Sequence, residues 1–123
     1  MYYRKNKAKG IKMNKFFLFL FSITILTLLS SNAAIYKGQR VFVKKCVKCH
    51  EDGQAYIAKK NMKAWKKIMK KKGQPLADIH LKDKKSEKSW KYFESKRYKK
   101  DSKHLMQFLV EYAKDSGNVP ACN

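Results

Sequence analysis

Cys46, Val47, Lys48, Cys49 and His50 spell C-x-x-C-H. Two thiols at this spacing with an imidazole directly after them are the side chains that hold a c-type haem: each thiol forms a thioether to one vinyl group, and the histidine ligates the iron. Two intervening residues let the backbone turn once, so both sulfurs meet one edge of the porphyrin while the imidazole swings beneath the metal. Zinc would need a second cluster of thiols or histidines, and the sequence holds no second C-x-x-C and no H-x-x-x-H. A thioredoxin-like thiol pair would sit in a βαβ pattern, which the flanking residues lack. Cys122, the one remaining cysteine, has no partner once haem takes the other two. It reads as a free thiol, with an intermolecular disulfide or a redox contact as the alternatives.

The elements that must position this motif come from a short, very basic chain. There are 123 residues, 30 of them Lys or Arg against 9 acids, for a charge of +21. That length allows one domain. At 44% hydrophobic and 13% aromatic residues the chain is too apolar for the disordered class, and its few Gly and Pro favour a mostly helical domain. An odd number of cysteines argues against a disulfide framework.

Arg4, Lys5, Lys7, Lys9, Lys12 and Lys15 precede an uncharged apolar run over residues 16–29, and small residues follow it. This is the pattern of a secretory signal peptide over 1–33, cleaved after Ala33 or Ala34. The run is shorter than the roughly 20 residues of a membrane span, so an uncleaved anchor is the weaker reading. Met13 is an alternative start. The exported domain, 34–123, keeps 24 basic against 9 acidic side chains, a charge of +15. A domain of this size with so much self-repulsion gains from a covalently held cofactor.

Within that domain, residues 36–46 read as a short helix that turns Val41 and Phe42 inward. Asn61 can cap a second helix with Met62, Trp65, Ile68 and Met69 on one face, and with Lys63, Lys66, Lys67, Lys70, Lys71 and Lys72 on the other. Gly73 and Pro75 are expected to end it, leaving residues 76–81 as a turn or single helical turn that carries His80. Ser86 is expected to cap a helix running through Lys96 with Trp90 and Phe93 on its face and Tyr98 near its end. Asp101 or Ser102 is expected to cap the last helix, in which Leu105, Phe108, Leu109 and Tyr112 recur at helical spacing until Gly117 and Pro120 stop it.

Gly38-x-x-x-Phe42-x-x-x-Cys46-x-x-Cys49-His50, together with the final amphipathic helix, resembles the monohaem cytochromes c of the class I type, over nearly the whole exported domain. The resemblance implies an all-α, cytochrome c-like fold of three to five short helices around one covalently attached haem c. It implies Cys46 and Cys49 as attachment points and His50 as proximal iron ligand. It also implies that the first helix crosses the last at Gly38, with Phe42 packed into the contact.

The sixth ligand departs from the family, which takes a methionine from the loop before the last helix. This chain has no Met between residues 70 and 105. His80 is the strong ligand in that segment. Met69 leads the alternatives, ahead of Met62 and Met106, and an open position is the third choice; His104 reads as a surface residue. Axial chemistry divides the functions. Six-coordinate iron implies a periplasmic carrier of single electrons rather than an enzyme. An open or displaceable site implies a small-ligand sensor or peroxidase-like protein, and a C-x-x-C disulfide without haem would leave an exported cationic surface binder. The charge favours acidic periplasmic or membrane-bound redox partners or an anionic membrane surface, with no specific nucleic acid and a monomeric state.

Overall fold

Gly38 and Phe42 set the first helix against the last. The computed structural model describes residues 32–120, and its first helix, α1, covers 32–45. A Cβ built on Gly38 would stand 2.1 Å from the His104 carbonyl oxygen and 2.6 Å from Cβ of Phe108. The two backbones therefore approach more closely than any side chain at position 38 permits. One turn on, Phe42 is 2% exposed and its ring lies 5.8 Å from that of Phe108. The partner helix, α5 (Lys96–Glu111), buries Tyr98, Ser102, Leu105, Phe108 and Leu109, one apolar stripe at helical period.

Asn61 starts α2 (Met62–Ile68) as its type suggests, with its side chain accepting from the Ala64 amide at 2.8 Å. Trp65 and Met69 face the core, and the Trp65 indole N–H donates to the Ile57 carbonyl at 2.9 Å. That carbonyl belongs to a 3-10 segment, Gly53–Lys59, which links the C-x-x-C-H turn to α2.

The next element corrects the sequence reading. Helix α3 runs Lys70–Lys82 and contains a kink at Lys71, Lys72 and Gly73, whose φ values of 50°, 56° and 77° are left-handed. Gly73 ends one helical stretch, yet Pro75 opens another instead of ending it. Proline's missing N–H costs nothing in a first turn, so Gly followed by Pro serves as a start as readily as a stop. The kink is pinned from α5, where the buried Tyr98 hydroxyl donates to the Gly73 carbonyl at 2.7 Å. Of the two expectations for residues 76–81, a turn or a single helical turn, the helical one holds and extends further: His80 rides the last turn of α3.

Two further boundaries differ. Helix α4 (Glu87–Phe93) starts after Ser86 at the N-cap position, as expected, but stops short of Lys96; the Ser86 hydroxyl makes no cap bond to the helix and donates back to the carbonyls of His80 and Asp83. The cap of α5 is Ser95, whose Oγ accepts from the Tyr98 amide at 3.1 Å. Asp101 and Ser102 lie within α5, where Asp101 takes a bidentate contact from Arg97 at 3.0 and 3.1 Å and accepts from the Tyr92 hydroxyl at 3.2 Å. Tyr98 thus belongs to α5 and not to the helix before it.

The described residues form an all-α unit without a strand, with α5 packed on α2, α3 and α4. No helix among them is long and apolar enough to cross a membrane. The signal segment, apart from its last two residues, and Cys122 lie outside the described residues.

Candidate functional site

The end of α1 presents the cysteines. The Cys46 amide still donates to the Phe42 carbonyl at 2.8 Å, and the Cys46 carbonyl then accepts from Cys49 at 3.1 Å and from His50 at 3.0 Å. This tight turn carries both thiols and the imidazole to one cavity of about 450 Å³, within the size range that encloses a large organic ligand. Its walls are mainly apolar, built by Phe42, Trp65, Ile68, Leu76, Phe93, Leu105 and Leu109 from all five helices. Cys46, Cys49 and His50 line it, and so does His80 from α3. Lys45, Lys60, Lys85, Ser86 and Ser89 supply most of the polar lining.

Each imidazole is held by an aromatic ring and placed by the fold. His50 stacks on Tyr56 with centroids 4.0 Å apart and an interplanar angle of 26°. His80 stacks on Phe93 at 4.2 Å and 26°. Nδ1 of His80 lies 2.8 Å from the Leu76 carbonyl oxygen. A carbonyl only accepts, so in the neutral ring Nδ1 carries the proton and Nε2 keeps the lone pair, the arrangement found in metal-binding histidines. The His80 carbonyl in turn accepts from the Trp90 indole at 2.8 Å and from the Ser86 hydroxyl, tying the end of α3 to α4.

The two imidazole centroids are 6.2 Å apart, with ring planes at 89°. A metal–nitrogen bond is about 2 Å and a ring centre lies about 1 Å behind its nitrogen, so two rings on opposite sides of one ion are about 6 Å apart. The spacing fits one metal ion. Among the described residues no three His, Cys, Asp or Glu side chains converge as a metal centre. Among the described residues the cavity thus offers two imidazole donors.

Charge states agree with this donor set. Burial lowers the His50 pKa, and His80 and Lys59 lower it further against an opposing pull from Asp52, so the ring is neutral near pH 7 with a lone pair available. Burial, with a smaller contribution from Cys49, pushes the Cys46 thiol up to about 12. A thiol this reluctant to ionise does not match the activated thiolate of a disulfide oxidoreductase.

The methionines lie elsewhere. Met69 is 3% exposed within the core, Met62 and Met106 are partly buried against it, and none of the three lines the cavity. His104 is partly buried on α5, with Nδ1 3.3 Å from Oε1 of Gln107. The sequence reading missed Tyr56, which sits in a segment without periodicity, and the role of the Leu76 carbonyl, whose i to i+4 relation to His80 becomes visible only once residues 76–80 are helical. Phe93 was legible only as an apolar helix position.

No protein-family model matches the chain, and neither a curated protein nor a solved structure matches it significantly.

Proposed function

We propose that this chain is a periplasmic monohaem c-type cytochrome that carries single electrons between redox partners, with His50 and His80 as its two axial ligands. The observation that carries the reading is the one cavity that gathers Cys46, Cys49, His50 and His80, with the two imidazoles at a spacing that fits one ion. Haem, when bound, supplies the one-electron chemistry. Cys46 and Cys49 would hold it covalently, and neutral His50 and Nε2 of His80 are the available iron donors. The close crossing at Gly38 and Phe42 on α5 supports a cytochrome c-like arrangement.

The surrounding side chains suit an electron carrier. Phe42, Trp65, Ile68, Leu105 and Leu109 exclude water and provide the low-polarity surroundings that suit a flat apolar ring. Lys60, Lys85, Ser86 and Ser89, alongside Asp83, belong to the polar part of the lining, and the first four match the chemistry of the two carboxylates such a ring carries. His80 is fixed by the Leu76 carbonyl and the Phe93 ring and is tied through its own carbonyl to Trp90. That bracing favours a closed six-coordinate centre over an open ligand-binding position. Acidic periplasmic or membrane-bound redox proteins are the partners that the charge of +15 favours.

Covalent attachment tests the reading. After export in a host with haem-attachment machinery and full denaturation, colour should remain with the polypeptide, and its intact mass should exceed that of the processed chain by one haem. Cys46→Ser with Cys49→Ser should release it. A colourless protein whose two thiols both react with an alkylating reagent overturns the proposal.

A further inference from the structure

The structure points to one particular face for the electron partner, and we infer that an acidic protein segment docks in the basic concavity between the end of α1 and the turn joining α4 to α5. This inference rests on the proposed electron-carrier function. The concavity is lined by Lys45, Lys88, Lys91, Tyr92, Ser95 and Arg97, so cations from three helices converge around one aromatic ring. The Lys45 ammonium lies 5.0 Å from the centre of the Tyr92 ring. Arg97 is paired with Asp101. Lys45, Lys88 and Lys91 form no ion pair, since Lys59–Asp52 and Arg97–Asp101 are the only pairs among the described residues. Among the described residues no acidic side chain lines the concavity, and the one carboxylate bonded to its lining, Asp101, is taken up by Arg97 and Tyr92.

Its position relative to the cavity that gathers Cys46, Cys49, His50 and His80 singles it out. Lys45 lines both cavities. From the concavity, Tyr92 meets Phe93 with centroids 5.5 Å apart, and Phe93 stacks on His80 at 4.2 Å. A docked partner is thereby linked to the second imidazole ligand through two rings in contact.

The other lysine-rich regions lack this combination. Lys63, Lys66, Lys67, Lys70, Lys71 and Lys72 are exposed, but none lines the cavity, which α2 approaches with Trp65 and Ile68. A second aromatic approach runs through Tyr56 to His50. There Lys59 also lies over the ring, 5.2 Å from the Tyr56 centroid, but it is already paired with Asp52, so the attraction for an acidic partner is weaker than where Lys45, Lys88 and Lys91 converge. The concave shape favours projecting carboxylates of a protein over a flat lipid surface.

Two variants of equal net charge, Lys88→Glu/Lys91→Glu and Lys66→Glu/Lys67→Glu, test the assignment; all four positions are exposed, and circular dichroism should show unchanged helicity in both. Hexaglutamate titrated into the exported protein should shift the amide resonances of Lys45, Lys88, Lys91, Tyr92 and Arg97, with the shifts abolished by salt and by the first variant but kept by the second. In parallel, oxidation of the ferrous protein by the anionic oxidant ferricyanide should slow roughly tenfold in the first variant and much less in the second. A peptide footprint centred on residues 63–72, or equal slowing in both variants, overturns the inference. So would binding to phosphatidylglycerol vesicles that depends on Lys88 and Lys91 without any hexaglutamate footprint. A protein without haem would defeat the proposed function, while the peptide footprint would still decide the surface.

Discussion

The imidazoles of His50 and His80 meet with centroids 6.2 Å apart and planes at 89°, although one follows the cysteine pair beyond α1 and the other ends α3. Neither ring is free to turn, because Tyr56 and Phe93 cover one each. Under the proposed function these contacts would hold the two imidazoles in place as iron donors.

Removing the second imidazole is the most direct mutational test. His80→Ala should convert a low-spin spectrum to high spin and open the ferrous protein to CO. Met69→Leu should leave the spectrum unchanged and cost less than about 1.5 kcal/mol of stability, since it is a volume-conserving change in the core. A spectral change in Met69→Leu alone would move the ligand assignment to the methionine.

With haem bound between them, rings kept at the 89° seen here would have their own signature. When two imidazole planes cross at right angles, each donates into a different d orbital of the iron, and the two orbitals stay close in energy. The ferric protein should therefore show a single strongly anisotropic low-field electron paramagnetic resonance feature. Phe93→Ala should release the His80 ring toward the rhombic three-feature spectrum of parallel planes. A rhombic spectrum in the unaltered protein would contradict the ring arrangement.

Much of this site was legible before the fold. The cysteine pair, its histidine, the Gly38 and Phe42 spacing and the apolar stripe of α5 are local patterns whose meaning does not depend on what packs against them. His80 could be picked out as a candidate because few strong donors exist in its segment. That the helix around it is longer than a single turn could not, because Gly73 and Pro75 carry the same signal for a helix end as for a helix start. What decides between them is the Tyr98 hydroxyl from α5, a contact across 25 residues. The α5 cap was misplaced for a similar reason: Ser95, Asp101 and Ser102 are all competent cap residues, and tertiary packing of Tyr98 selects the first.

Gly38 should tolerate no side chain. In Gly38→Ala the new Cβ meets the His104 carbonyl and the Phe108 Cβ, both fixed by α5. The expected cost is roughly 1–3 kcal/mol, which for a domain of this size lowers Tm by several degrees per kcal/mol. Thermal unfolding followed by circular dichroism reads it, and an unchanged Tm would mean that α1 does not cross α5 at this point.

Alkaline pH should unfold the domain through its buried phenols. Burial raises the pKa of Tyr92, helped by the adjacent Asp101 carboxylate, and burial likewise raises that of Tyr98; both start from an ordinary value of 10.0. The unfolded chain therefore releases these protons first as pH rises. The stability they contribute is fully present below pH 10 and is lost progressively above it. Tyrosinate absorbance should rise together with loss of helicity, and Tyr92→Phe with Tyr98→Phe should move that transition to higher pH. Early ionisation with helicity intact would contradict the burial of these rings.

The central claim is a covalently held haem closed on both sides by histidine. The visible spectrum of the exported protein, taken ferric, then ferrous, then ferrous with CO, tests it in one experiment. The expected result is sharp low-spin ferrous bands that ignore CO, with a ferric near-infrared band of the two-histidine type and no methionine-to-iron charge-transfer band. High-spin bands that shift on adding CO would contradict it and indicate an open ligand-binding site.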